Sequence, residues 1–159
     1  MRRIKIIGIG SPFGQDQLGW QVIELLETLM TPTEKQHVQL IKTDRPGIQL
    51  LALLKNVDIA ILIDAIDDSS KTGQIINLDK SQLLLQNKPF SSHALGVSEA
   101  LRVGDALKEL PKLLRLFGLC ININNTAPVP KQDIYNLASV VMDSIKTPDD
   151  QRTENSIYA

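Results

Sequence analysis

The sequence predicts an α/β protein of three layers, a largely parallel twisted sheet with helices on both faces. Three observations carry that expectation. Short apolar runs alternate along the chain with apolar stripes at helical spacing, the order expected of strands that are each followed by a helix. The runs are continuous rather than apolar at every second position, as in strands buried on both faces. No repeat, linker or low-complexity stretch breaks the series, and 159 residues suit one domain.

The elements follow in order. Ile4 to Ile9 is rich in β-branched residues and ends at Gly10-Ser11-Pro12, which predicts a first strand and a loop. From Leu18 the apolar positions are Leu18, Val22, Leu25, Leu26 and Leu29, one stripe of a helix. Thr31-Pro32-Thr33 reads as a break, Val38 to Ile41 as a second strand, and Ile48 to Leu54 as a short helix introduced by Asp44-Arg45-Pro46-Gly47. Asp58 to Ile66 is the third and most apolar strand. Gly73 to Leu78 predicts a further strand near an edge, because Gly73, Gln74 and Asn77 dilute its apolar content. Ala94, Val97 and Leu101 mark a helix with Ser92 as its cap, and Leu113 to Ile123 is the last strand. A final helix opens at Asp133 with the stripe Ile134, Leu137, Val141 and Ile145. The expected organisation is a single domain over 1–147, followed by a polar tail over 148–159 expected to be mobile.

Seventeen Lys+Arg against eighteen Asp+Glu leave a formal charge of -1, so no global attraction to nucleic acid or an anionic membrane is expected. A single cysteine, Cys120, excludes an internal disulfide and a Cys-rich zinc site. The opening apolar run is too short for a signal-peptide core, and Asp64 interrupts the longest later run. The expected compartment is therefore the cytoplasm. Gly8-Ile9-Gly10 begins like a dinucleotide fingerprint, but Phe13 stands at the third glycine position and Pro12 lacks an amide for phosphate. The signatures of serine hydrolases, P-loops and zincins are absent, and no organic cofactor is expected.

In parallel α/β sheets, ligands collect at the carboxyl ends of the strands. Asp16 falls in the loop after the first strand, Asp44 after the second, Asp64 inside the third near its end, and His93 just before a helix. Two carboxylates and an imidazole form a donor set suited to a divalent ion such as nickel or zinc. Each residue also has a plainer role. Asp16 would cap a helix, Asp44 would make a turn, His93 would satisfy backbone groups, and His37 would be solvated. Asp64 resists such a reading, since a carboxylate in Ile61-Leu62-Ile63-Asp64-Ala65-Ile66 must be desolvated unless the strand has ended. Acids after the first and third strands also suit a phosphoacceptor receiver domain, but Leu116 to Asn125 lacks the lysine that reading requires.

Three ordered segments, Gly8 to Gly19 (GIGSPFGQDQLG), Ile61 to Ile66 (ILIDAI) and Ser91 to Leu101 (SSHALGVSEAL), resemble the hydrogenase maturation endopeptidases. The resemblance covers the first two thirds of the chain. It implies a protease that removes a C-terminal extension from the nickel-iron hydrogenase large-subunit precursor after nickel insertion. It maps the family's metal-binding acid three residues before a glycine onto Asp16 and Gly19, its strand-end acid onto Asp64 and its histidine onto His93. Asp44 is a possible accessory. The implied metal is nickel carried by the substrate, for which zinc or cadmium would substitute in vitro. The implied partner is the precursor, and a monomer is expected. Where the family shows a glycine-rich turn after the second strand, Arg45-Pro46-Gly47 stands here, which implies a different rim around the cleft. A catalytically silent factor that only grips the precursor is the alternative within the same resemblance.

Overall fold

In a computed structural model of the chain, residues 2–85 and 94–146 are described, 94 and 95 by their backbone only. The elements run β1 (Ile4–Gly10), α1 (Leu18–Leu29), α2 (Pro32–His37), β2 (Val38–Asp44), α3 (Leu50–Leu54), β3 (Ile59–Asp67), β4 (Ile75–Asp79), α4 (Lys80–Leu84), α5 (Ala94–Ala106), β5 (Leu113–Ile121) and α6 (Lys131–Lys146). Single 3-10 turns cover Gly14–Gln17, Gly47–Gln49 and Ser69–Lys71. The strands form one sheet in the order β2-β1-β3-β5-β4. All neighbours are parallel except β4, which pairs antiparallel with β5 at the edge.

The strand pleat sorts the core into two halves. Ile59, Ile61, Ile63 and Ala65 of β3 face α1 and α6, where Leu18, Val22, Leu26, Leu137 and Val141 complete the packing. Ala60, Leu62 and Ile66 face the other way, toward Leu50 and Leu54 of α3 and Val97 and Leu101 of α5. Helices therefore cover both faces, as the continuous apolar runs predicted. By the same alternation Asp64 belongs to the α3 and α5 side.

Several boundaries differ from the sequence expectation. The Thr31-Pro32-Thr33 break is the start of α2: Thr31 Oγ1 accepts from the Glu34 amide at 3.2 Å while the Glu34 carboxylate accepts from the Thr31 amide at 2.8 Å, and Pro32 occupies the first turn. An analogous reciprocal cap between Asp79 and Gln82 starts α4, a second helix not foreseen. Strand β2 continues past Ile41 to Asp44, so Asp44 ends the strand instead of following it, because its register with β1 holds as far as Gly10. His37 closes α2, where it is exposed. Strand β4 begins at Ile75 and β5 stops at Ile121, while α6 begins at Lys131, two residues before Asp133, whose amide donates to the Pro130 carbonyl at 3.0 Å. The Ser92 cap and the tail lie outside the described residues.

Candidate functional site at the carboxyl edge

Parallel pairing places the ends of β1, β2 and β3 together, with Gly10 opposite Asp44 and Gly8 opposite Ile63, the residue before Asp64. Asp64 is fully buried and β3 continues beyond it to Asp67. A desolvated carboxylate demands compensation, and its Oδ1 accepts from the Ala65 amide at 2.8 Å. The residue beside it on β5 is Gly118, which brings no side chain of its own to that register position.

Asp16 is half-buried in the 3-10 turn before α1. It does not cap that helix: Gln17 occupies the cap position and no side chain bonds there. The Asp16 carboxylate instead accepts from Ser11 Oγ at 3.3 Å, and the loop closes through the Ser11 amide onto the Asp16 carbonyl. Gly19 anchors this loop to the sheet. A β-carbon there would meet the Ile9 carbonyl oxygen and lie 2.9 Å from the Ile63 carbonyl oxygen, so only glycine lets the start of α1 rest on the ends of both β1 and β3. Trp20 adds a second tie, its Nε1 donating to the Thr43 carbonyl of β2 at 3.0 Å.

Asp44 is exposed and paired with Arg45, whose Nε lies 2.8 Å from Oδ1. The Asp44 hydrogen bond and then its charge push the Arg45 guanidinium up from its ordinary value, and the charge of Asp16 acts in the same sense. Arg45 is thus a partner of Asp44 that also feels the charge of Asp16, a role not foreseen from the sequence. The turn that follows is tight: Arg45 has φ 43° and Gly47 has φ 51°. Against it packs the first turn of α5, where a β-carbon on Gly96 would come within 2.9 Å of Gly47 Cα.

His93 lies outside the described residues, but Ala94 immediately after it opens α5. Among the described residues no three His, Cys, Asp or Glu side chains gather to hold a metal ion. Two exposed apolar side chains, Phe13 and Ile48, stand on the turns after β1 and β2. Cys120 is buried in β5, and burial raises its thiol pKa, with the charge of Asp68 a further cause. It therefore packs the core and is not poised as a thiolate.

The fold and the edge together define a doubly wound α/β protein with a buried carboxylate in its central strand and a loop acid at the ligand-binding edge. The sequence model of the family described as HycI, hydrogenase maturation protease, matches residues 20–131. The chain belongs to the hydrogenase maturation protease family. The matched stretch contains Asp64, His93 and Asp44 and begins just beyond Asp16. The chain is 27% identical over 119 residues to the hydrogenase expression/formation protein HupD of Thiocapsa roseopersicina, covering 73% of this chain and 53% of that one. It thus spans about half the length of that curated relative. The hydrogenase maturating endopeptidase HybD from E. coli superposes with a TM-score of 0.75 at 22% identity, over 91% of this chain and 92% of that one. The NiFe hydrogenase maturation protease HybD from Thermococcus kodakarensis superposes with a TM-score of 0.68 at 15% identity, over 89% and 98% of the two chains. Among the described residues no helix is long and apolar enough to cross a membrane.

Proposed function

We propose that this chain is an endopeptidase that removes the C-terminal extension of a nickel-loaded nickel-iron hydrogenase large-subunit precursor. The observation that carries the reading is Asp64, a fully buried carboxylate within the central strand at the sheet's ligand edge. Such a group is costly to keep unless its charge is used. Family membership supports the same reading.

In this reading nickel arrives as part of the substrate, and Asp16, Asp64 and His93 complete its coordination with two oxygens and one nitrogen, a set suited to that ion. The three side chains thereby test whether the precursor has been loaded, and they hold the scissile peptide beside the site. One carboxylate would take a proton from the attacking water, and an ion held by Asp16, Asp64 and His93 would supply Lewis acidity toward the peptide carbonyl. Asp44, held by Arg45, serves as an accessory on the rim. Exposed Phe13 and Ile48 give an extended segment of the precursor apolar contacts beside the acids.

The test is a processing assay on nickel-loaded precursor, with metal-free precursor as the control. The wild-type chain should cleave only the loaded form. Asp64→Asn and His93→Ala should each slow cleavage by about a hundredfold or more while their circular dichroism matches the wild type. Normal processing by both variants would remove the site assignment, and equal cleavage of metal-free precursor would remove the role of nickel.

A further inference from the structure

The opposite edge of the sheet carries a cavity that the proteolytic reading does not use. It has a volume of about 800 Å3 and opens at the amino ends of β1 and β2, beside the turn that leads into β3. Arg2, Arg3, Lys5, Lys35 and Lys55 contribute to its wall against a single acid, Glu27. This is a strong segregation for a chain of net charge -1.

Part of that charge serves the fold. Lys5 Nζ donates to the Leu53 carbonyl at 2.9 Å, near the end of α3, and Arg3 pairs with Asp58 at 3.9 Å. Lys35 and Lys55 are different: both are exposed, and neither side chain makes a hydrogen bond or ion pair among the described residues. A smaller cavity of about 280 Å3 shares Arg3 and Lys55 with the first and adds Lys108, together with two acids, Asp58, which pairs with Arg3, and Glu109. The two adjoin through those shared residues and form one track along the amino edge, with six basic side chains against three acidic ones.

We infer that this track binds an acidic peptide segment of a partner protein. Its length suits an extended chain better than a compact anion. It also lacks what would favour phosphate or nucleic acid. His37 is the one aromatic ring in either lining, and no Phe, Tyr or Trp joins it for base stacking. The helices ending there present carbonyl groups instead of amides. Lys35, Lys55 and Lys108 meet the carboxylates of the acidic segment. The inference rests on the track alone and is independent of the proteolytic reading.

The experiment is fluorescence anisotropy of the full chain with a labelled glutamate-rich peptide, and with a glutamine-rich peptide and a single-stranded oligonucleotide of equal charge as comparators. The acidic peptide should bind saturably and weaken with salt. Lys35→Glu combined with Lys55→Glu, both surface changes, should weaken it by about tenfold or more, whereas Asp64→Asn should bind as the wild type does. Equal binding of the glutamine-rich peptide, equal or tighter binding of the oligonucleotide, or an unchanged affinity in the charge-reversed chain would overturn the proposal.

Discussion

The two edges of the sheet are made from the same strands and differ in almost every other respect. At the carboxyl edge, Asp16 sits in the loop after β1, Asp44 ends β2 and Asp64 lies in β3, and glycine mediates the contact of α1 with β1 and β3. At the amino edge, Lys5, Lys35 and Lys55 surround a cavity, and one of them reaches a carbonyl near the end of α3. Helix polarity accounts for much of this. A strand followed by a helix starts its helix near the carboxyl edge and ends it near the amino edge, so partial positive charge faces the acids and partial negative charge faces the lysines. Once element order is known, charged residues in such a chain can be assigned to an edge and to the electrostatic work done there.

The comparison can be broken most severely at Gly19. Gly19→Ala forces a β-carbon against two strand carbonyls, and overpacking against backbone should cost about 3 kcal/mol of stability, read as a lowered urea midpoint. A wild-type midpoint would mean that this contact does not set the Asp16 loop against β3. A smaller effect is expected from Lys5→Met, which keeps the apolar stem and loses the bond to the Leu53 carbonyl. Equilibrium unfolding should show a loss of about 1 kcal/mol. The smallest concerns Glu34 in α2. Its carboxyl is held below the ordinary 4.5, chiefly by the Thr31 amide, with the Thr31 hydroxyl and Lys146 helping. A group depressed in the folded state contributes stability above its unfolded value and loses it as pH falls through the folded value. Glu34→Gln should therefore lower stability slightly at pH 7, flatten the decline below about pH 4.5 and approach the wild type in acid, as denaturation at the two extremes would reveal.

The sheet and its two-sided cover were legible because burial writes itself into the sequence as apolar runs and stripes. Asp64 was legible for the same reason, as a charge where only apolar residues belong. The helices α2 and α4 were not, because neither has an apolar stripe: no residue of α2 is buried, and α4 buries only Leu83. Their signals were local, in Thr31-Pro32-Thr33-Glu34 and Asp79-Lys80-Ser81-Gln82, and a reading weighted toward periodicity passes over reciprocal caps. The bond from Ser11 to Asp16 and the reach of the Asp16 charge to Arg45 depend on how the loops fold. One-dimensional spacing does not encode that.

The close approach of Gly96 to Gly47 bears on how members of this family can be re-engineered. The turn after β2 and the opening of α5 mesh like cogs, with no side chain between them to absorb a change in either. A chimaera that imports only one of these segments from a relative should misalign the residue just ahead of α5, whereas transplanting both as a pair should preserve it.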